Sequence, residues 1–475
     1  MQQFLLDVTT SINDFLWSNV LIIMLVVLGL FFTYKGRFLQ IRMLRDMISA
    51  IREGKTGSAD GISPFQAFCI SMAARVGTGN ITGIAIAIAL GGPGSVFWMW
   101  LIAIIGSASS FVESTLAQIY KVKDKDGFRG GPAYYMEKGL NKRWMGALFA
   151  VLITLSFGLV FNAVQSNTIT IAFENSFGTD RLILGVIMTI MFAAIIFGGV
   201  KRIAKMSEYI VIVLAVLYIG MALFIVLMNI TKMPEIISLI VKNAFGFDQI
   251  AGGSLGAALM HGVKRGLFSN EAGMGSAPNA AATATTSHPV KQGLIQAFGV
   301  LTDTLIICTS TAFIILLSGA YQQSGLSGIE LSQAALDFHI GSWASAVLAV
   351  MVFLFAFSTL IGNYYYGETN IEFLKTNKAW LMLYRIFVLG MVLFGAVAKV
   401  QLVWDLADLF MGLMVIVNLI AIFLLSKVAF AALHDYRQQK KAGKDPVFYK
   451  DSIAGLENIE AWEASPSVSK EEKAG

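Results

Sequence analysis

The sequence has 475 residues, of which 56% are hydrophobic and 14% are charged, and its mean hydropathy is +0.69. A soluble domain carries about 25% charged residues. The composition therefore excludes a soluble protein and predicts an all-α, polytopic membrane protein. The net charge of +5 does not indicate nucleic-acid binding, because the basic residues lie between apolar segments and in the C-terminal tail rather than in a basic domain.

Eleven apolar segments are long enough to cross a bilayer, which takes about 18 residues or more. They cover approximately 16–34, 66–91, 95–119, 145–172, 181–199, 206–229, 251–284, 292–317, 341–365, 379–398 and 402–426. With the N-terminus outside, 27 Lys and Arg residues fall on the cytoplasmic side and four on the outer side. The positive-inside rule therefore predicts an outer N-terminus and a cytoplasmic C-terminus.

Two of these segments are interrupted by glycine and polar residues, at 75–80 and at 267–275. A membrane helix leaves backbone groups unpaired only where protein or a water-filled cavity satisfies them, so a broken helix marks a binding site. Each break opens a group of five segments, 62–232 and 248–430. Five is an odd number, so the second group enters the membrane from the opposite side. This arrangement predicts an inverted repeat, which is typical of secondary transporters.

Three further regions surround the two repeats. Residues 1–61 form an extra N-terminal helix and a basic cytoplasmic loop, and 233–247 read as an amphipathic helix at the outer interface. Residues 431–475 form a cytoplasmic tail that is charged and poor in apolar runs. We expect this tail to be solvated or partly disordered.

The first break, Gly77-Thr78-Gly79-Asn80, has the composition of an anion site. Glycine lets the backbone unwind and approach a ligand closely. The freed N–H groups at the start of the second half-helix then suit a carboxylate. The alternative is a glycine-rich packing face, which does not account for Arg75 and Asn80.

Ser358 and Thr359 place two adjacent hydroxyls in the middle of an apolar segment. Together with unwound carbonyls they would form an all-oxygen site for a hard monovalent cation. The sequence is equally consistent with each hydroxyl bonding the carbonyl four residues earlier in its own helix. Both interpretations stay open at this point.

Ionisable residues inside apolar segments are functional candidates, because they are costly in hydrocarbon. They include Lys264, Arg265 and Asp303, as well as Arg75 and Glu271 at the two breaks. We expect Arg75 and Glu271 to form an ion pair, either as a gate or as a structural link between the halves. No metal cluster, phosphate loop or nucleophile elbow occurs, so the sequence predicts no enzyme and no cofactor.

Three motifs together resemble the alanine/glycine:cation symporter family. They are Gly77 to Gly83 continuing to Pro93, Gly130-Gly131-Pro132-Ala133-Tyr134-Tyr135, and Gly266 to Gly273. The resemblance covers about 62–430 and implies the five-plus-five inverted fold of the leucine transporter with one extra N-terminal helix.

The resemblance also implies binding residues. Sodium would be held by the carbonyls of Ala73, Val76 and Phe355 and the hydroxyls of Ser358 and Thr359. The substrate would be bound by Gly77, Thr78, Gly79, Asn80, Gln165, Phe268, Ser269, Asn270 and Gly273. Asn363 replaces a bulky aromatic residue of many family members, so it is expected to enlarge the pocket and make it more polar.

The expected function is therefore inward, sodium-coupled symport of a small neutral amino acid, alanine or glycine, across the plasma (bacterial inner) membrane. Sodium is the coupling ion, and the lipid bilayer is the only other partner the sequence predicts. Glutamine as the substrate and a proton as the coupling ion are the alternatives. An ion channel is the alternative from a different class, and the oligomeric state is not predicted.

Overall fold

A computed structural model describes residues 2–52, 62–124, 127–197, 213, 216–246, 255–323, 325–375 and 377–466. A helix that begins at Gln2 continues into the first long helix. The helices are α1 (Thr9–Lys35), α2 (Leu39–Arg42), α3 (Leu44–Arg52), α4 (Pro64–Arg75), α5 (Gly79–Gly91), α6 (Ser95–Ile119), α7 (Pro132–Lys138), α8 (Arg143–Phe177), α9 (Arg181–Ile196), α10 (Val216–Met228), α11 (Met233–Ala244), α12 (Leu255–Asn270), α13 (Ala277–Ala281), α14 (Pro289–Ser318), α15 (Gly328–Ile340), α16 (Ala344–Leu374), α17 (Lys378–Val397) and α18 (Val400–Lys441). Strands β1 (Val122–Asp124) and β2 (Gly127–Arg129) form an antiparallel hairpin between α6 and α7.

Seven of the described helices are long and apolar enough to cross a membrane, or nine spans result if each of two bent pairs counts as one. The seven helices and the bent pair α4–α5 coincide with eight of the predicted segments. The segment predicted at 181–199 is the shorter apolar helix α9, and parts of 206–229 and 251–284 lie outside the described residues. The structure confirms a helical, multi-pass protein, while eleven spans and the inverted repeat stay predictions.

The second bent pair concerns the predicted interfacial helix. The helix that runs into α11 turns away from α10 by 77°. A helix that leaves the direction of a membrane span in this way is compatible with a position at the interface. The interfacial location itself stays a prediction.

The first break lies between α4 and α5. Ser63 caps α4 in a capping box with Gln66, and Pro64 occupies the first turn, where its missing N–H is not needed. α4 ends at Arg75 because Val76 adopts a non-helical conformation (φ −80°, ψ 87°). α5 then starts at an angle of 50° to α4.

The helices around this break contain π-helical turns, which interrupt the regular hydrogen-bond ladder and often occur at functional sites. They are found in α5 at Gly79–Gly83, in α8 at Thr154–Phe161 and in α14 at Asp303–Cys308. The contacts described below bring these three turns together around the second break.

The second break separates α12 from α13. Glu271, Gly273 and Gly275 all have positive φ values, of 57°, 79° and 83°. The amides of Gly273 and Gly275 donate to the carboxylate of Glu113 on α6, at 3.1 and 3.0 Å, and Asn418 on α18 donates to the same carboxylate at 2.8 Å. A buried carboxylate thus satisfies backbone groups that the broken helix leaves unpaired.

The C-terminal segment that follows α18, 442–466, packs against the end of the bundle where α18 finishes, which we call the tail end. The amide of Phe448 donates to the carbonyl of Ser287 at 2.9 Å, and the indole of Trp462 donates to the carbonyl of Gln118 at 3.0 Å. The rings of Phe448 and Trp462 contact each other, with centroids 5.1 Å apart. These contacts anchor a few apolar side chains of 442–466 on the loops, while most residues of the segment are exposed to solvent, as expected.

Candidate functional site

The five residues predicted to bind sodium lie together where α16 crosses the first break. The Thr359 hydroxyl oxygen lies 2.8 Å from the carbonyl oxygen of Ala73, 3.4 Å from that of Val76 and 3.1 Å from that of Phe355. The Ser358 hydroxyl donates to the Phe355 carbonyl at 2.7 Å. All five residues are buried. The contacts with Phe355 are bonds within the helix itself, as the alternative interpretation predicted. The contacts with Ala73 and Val76 reach the first break, so several oxygen atoms meet in one place. We call this group of oxygen atoms the oxygen cluster.

The predicted carboxylate site adjoins this oxygen cluster. The amide of Gly77 donates to the side-chain oxygen of Asn80 at 3.0 Å, and the amide of Thr78 donates to the side-chain oxygen of Gln165 at 3.1 Å. A Cβ atom on Gly77 would lie 2.3 Å from the Thr359 hydroxyl oxygen and 3.0 Å from the Gln165 oxygen. The absence of a side chain at Gly77 therefore allows the oxygen cluster and the predicted carboxylate site to lie side by side. The amide of Gly77 and that of Thr78 are bound to side-chain oxygens, whose place a substrate carboxylate could take.

Asp303 on α14 connects the two breaks. Its carboxylate accepts a hydrogen bond from Asn80 at 2.6 Å and another from Ser269 at 2.8 Å. Thr311 on the same helix donates to the carbonyl of Asn80 at 2.7 Å. The sequence identified Asn80 and Ser269 as site residues but gave Asp303 no role. Its signal was an ionisable side chain inside an apolar segment, and only the fold shows which groups that carboxylate binds.

Phe268 forms the aromatic side of the site. A Cβ atom on Gly79 would lie 3.0 Å from the Phe268 ring, so Gly79 permits this close contact between the two breaks. The ring also packs against Phe161, at a centroid distance of 4.7 Å, and against Trp404, at 4.8 Å. Trp404 was not predicted, because it lies far along the chain in an ordinary apolar segment.

Two other predicted substrate residues make their polar contacts elsewhere. The amide nitrogen of Asn270 donates to Thr304 at 3.1 Å, and Gly273 is bound through its amide and carbonyl to Glu113 and Asn418. Within the described part of the chain, neither Asn270 nor Gly273 makes a hydrogen bond to the Gly77–Asn80 segment. Their predicted contact with a substrate stays a prediction.

The expected ion pair between Arg75 and Glu271 does not form among the described residues. One guanidinium nitrogen of Arg75 lies 3.5 Å from the carbonyl of Gln296, while Glu271 accepts a hydrogen bond from Ser276 at 2.6 Å. The expectation was wrong because proximity to a break in the sequence does not determine the direction in which a long side chain points.

Asn363 lies one helical turn after Thr359 on α16 and is completely buried. Neither its amide nitrogen nor its amide oxygen has a hydrogen-bond partner in the part of the chain that the structure describes. The neighbouring Gly362 packs against Ala74, in the last turn of α4 before the first break. A buried, unpartnered amide is costly, so Asn363 is well suited to a polar group of a ligand or to water.

A cavity of about 440 Å³ approaches this site from the end of the bundle opposite the tail end. Its walls include Thr82, one turn past Gly79, and Trp404, which packs on Phe268. Its volume is within the range of small-molecule sites, roughly 300–1,000 Å³. The cavity is lined by Thr82, Ile86, Leu90, Asn167, Thr168, Ile171, Arg265, Ser327, Gly328, Ile329, Glu330, Val400, Gln401, Trp404 and Asp405.

A buried charge cluster lies beside the cavity. Arg265 donates two hydrogen bonds to the carboxylate of Asp408, at 3.0 and 2.8 Å, and Lys264 lies 2.7 Å from the same carboxylate. The Arg265 guanidinium also stacks over Trp404, 4.6 Å from the ring centroid. Asp408 was missed in the sequence, although two adjacent cations in an apolar segment require a nearby anion.

We expect Asp408→Asn to destabilise the protein strongly. Two cations would lose their shared carboxylate in a buried place, and breaking a buried pair in this way costs about 3–5 kcal/mol. Thermal unfolding of the purified protein in detergent measures the effect. The matched control is Asp405→Asn, because Asp405 bonds only Gln401 through its side chain among the described residues. Equal unfolding temperatures for the two variants would contradict this role of Asp408.

A multi-pass helical protein with two broken helices, a buried oxygen cluster and a cavity beside Trp404 has the features of a membrane transporter. The chain is a member of the sodium:alanine symporter family, whose family model matches residues 2–450.

Three relatives of the chain carry names that describe transporters of amino acids. The chain is 73% identical to the "Probable sodium/glutamine symporter GlnT" of Bacillus subtilis, over 98% of each chain. It is 56% identical to the "Amino-acid carrier protein AlsT" of the same organism, over 98% of this chain and 99% of that protein. It is 39% identical to the "Sodium/alanine symporter AgcS" of Methanococcus maripaludis, over 92% of this chain and 98% of that protein.

Proposed function

We propose that the chain couples inward movement of sodium to uptake of a neutral amino acid, with glutamine, alanine and glycine as the candidate substrates. The observation that supports this most is the position of Gly77. It lies between the carbonyl and hydroxyl oxygens around Thr359 and the acceptor Gln165. A cation in the first cluster and a carboxylate at the second would be neighbours, and binding of each would favour binding of the other.

In this proposal the substrate enters through the 440 Å³ cavity and passes Trp404 and Phe268. Its carboxylate then takes the place of Gln165 and the Asn80 side chain at the amides of Thr78 and Gly77. Release occurs at the tail end after the two repeats rock against each other. The excess of basic residues at the tail end supports a cytoplasmic location for it.

Uptake into proteoliposomes tests this function. Labelled alanine, glycine and glutamine would be offered with an inward sodium gradient, an inward proton gradient or neither. We expect saturable uptake that requires the sodium gradient. Uptake driven by the proton gradient alone would show that the coupling ion is the proton and not sodium. Flux that does not saturate would instead indicate a channel.

Glutamine is the favoured substrate among the three. The relative named as a sodium/glutamine symporter is 73% identical to this chain, which is high enough for most pocket residues to be shared. Asn363 adds a physical reason, because its buried amide has no partner among the described residues. A carboxamide side chain could donate to and accept from this amide at once, whereas alanine and glycine offer no such group.

The substrate profile of Asn363 variants distinguishes glutamine from alanine. Asn363→Leu keeps the side-chain volume similar but removes the amide, so we expect about three- to ten-fold weaker competition by glutamine and little change for alanine. Asn363→Trp fills the space, and overfilling costs roughly 1–3 kcal/mol, so we expect glutamine to be rejected more strongly than glycine. The measurement is competition of the three unlabelled amino acids against labelled alanine. An identical competition order in the wild type and both variants would show that Asn363 does not set specificity.

A further inference from the structure

A cleft of about 230 Å³ lies at the tail end, between the end of α1 and the last turns of α18. We call it the basic cleft. It is lined by Lys35, Arg37, Phe430, Leu433, His434, Arg437, Gln438 and Lys441. Four of these eight residues are permanent cations, and none is acidic. The cleft therefore concentrates positive charge in a concave site that the proposed transport pathway does not use.

Some other cations at the tail end are neutralised within the protein. Lys440 pairs with Asp46 at 3.1 Å, Lys291 pairs with Asp445 at 2.9 Å, and Lys138 pairs with Glu460. These pairs show that carboxylates of the protein neutralise part of the positive charge on this face.

The basic cleft brings four cations together in one concave site, and no carboxylate of the described residues pairs with any of them. Arg437 donates to the carbonyl of Gly36 at 2.9 Å, and the ammonium of Lys35 lies 5.9 Å from the centroid of the Phe31 ring. Arg37 is held at a positive φ of 55° in the turn that ends α1. The cleft thus retains uncompensated positive charge, which favours an anionic ligand.

The cleft lies at the end of a seam between two membrane helices. Phe31 of α1 contacts Phe423 of α18, with ring centroids 5.4 Å apart. Along this seam Val27, Leu30 and Leu424 are 56%, 52% and 52% exposed. In a protein that spans the bilayer, such exposed apolar side chains face acyl chains. A ligand in the cleft would therefore have its charged part among the cations and hydrocarbon beside the seam.

We propose that the basic cleft binds the phosphate headgroup of an anionic glycerophospholipid whose acyl chains lie along the α1–α18 seam. Basic pockets between membrane helices recognise headgroups of this kind. The cleft supplies guanidinium and ammonium donors, and Arg can bind two phosphate oxygens at once. A free phosphate shares the headgroup chemistry but would gain nothing from the apolar seam.

Native mass spectrometry of the purified full chain in detergent tests the proposal with three probes. These are phosphatidylglycerol, phosphatidylcholine with the same acyl chains, and inorganic phosphate. The cleft variant combines Lys35→Gln, Arg37→Gln and Lys441→Gln and keeps Arg437, which supports the Gly36 turn. The control variant combines Lys123→Gln, Lys142→Gln and Lys378→Gln, which removes the same charge from exposed positions outside the cleft.

We expect the wild type and the control variant to bind phosphatidylglycerol equally well. Since each basic residue near an anionic lipid contributes about five-fold in affinity, the cleft variant should bind it on the order of 100-fold more weakly. The single variant Lys441→Gln, at an exposed position, should lose about five-fold and guards against misfolding of the triple variant. Equal binding of phosphatidylglycerol by the cleft and control variants would overturn the site. Binding of phosphatidylcholine by the wild type as tightly as phosphatidylglycerol would also overturn it. Displacement of phosphatidylglycerol by equimolar inorganic phosphate would show that the ligand is a soluble anion.

Discussion

Alanine in place of Gly77 is expected to weaken sodium-dependent uptake strongly. The added methyl group would lie 2.3 Å from the Thr359 hydroxyl oxygen and 3.0 Å from the oxygen of Gln165. Thr359 cannot move aside easily, because a β-branched side chain has few χ1 rotamers and its hydroxyl oxygen lies 2.8–3.4 Å from three carbonyl oxygens. Overpacking of a tight site costs typically 1–3 kcal/mol. Here the added methyl group would disturb both the oxygen cluster and the proposed carboxylate site.

The experiment compares uptake of labelled substrate by Gly77→Ala and Gly390→Ala in proteoliposomes. Gly390 lies within α17, and a Cβ atom there would meet nothing within 4 Å. We expect Gly390→Ala to transport like the wild type and Gly77→Ala to lose at least ten-fold in apparent affinity for both sodium and substrate. Thermal unfolding in detergent shows whether both variants are folded. Wild-type transport by a folded Gly77→Ala would remove the basis for placing the two sites side by side.

The breaks could be predicted from the sequence because their physical cause is local. Glycine and polar residues inside an apolar run leave backbone groups unpaired, whatever the rest of the fold does. The structure places the first break at Val76 and the second at Glu271 to Gly275, as the interruptions indicate. Long apolar segments likewise correspond to long helices, since helical hydrogen bonds form within the segment.

The partners of the site residues could not be predicted in the same way. Thr359 bonds the carbonyl of Ala73 across 286 residues of chain, and Asn80 bonds Asp303 across 223. Hydropathy and periodicity contain no information about such pairs. The five residues predicted to bind sodium were named through resemblance to a family, and Asp303, Trp404 and Asp408 had no comparable guide.

One expectation failed and another held only in part, each for an identifiable physical reason. The tail is charged on average, but Phe448 is only 2% exposed and Trp462 is anchored by its indole N–H. Average composition therefore hid a few well-placed apolar contacts. The ion pair of Arg75 and Glu271 failed because the positive φ of Glu271 and its bond to Ser276 direct that carboxylate elsewhere.

The second large effect is expected from removing the hydroxyls of the oxygen cluster. The double variant Ser358→Ala, Thr359→Ala removes two of the oxygen ligands proposed for sodium and leaves the carbonyls of Ala73 and Val76 without the Thr359 hydroxyl. Hydrogen bonds and ligand contacts that involve a charge are worth about 1.5–3 kcal/mol each. We therefore expect the sodium concentration for half-maximal uptake to rise by ten-fold or more.

The conservative variant Thr359→Ser separates sodium binding from helix packing. It keeps the oxygen that lies 2.8 Å from the carbonyl of Ala73 and removes only a methyl group, so we expect its sodium activation to stay within about three-fold of the wild type, a difference of less than 1 kcal/mol. Thr359→Val keeps the shape and removes the hydroxyl, so it should behave like the double variant. Sodium activation curves of uptake at a fixed substrate concentration measure all four proteins. If Thr359→Val and Thr359→Ser gave the same curve, the hydroxyl would serve only the local bond to Phe355, and the cation would have to bind elsewhere.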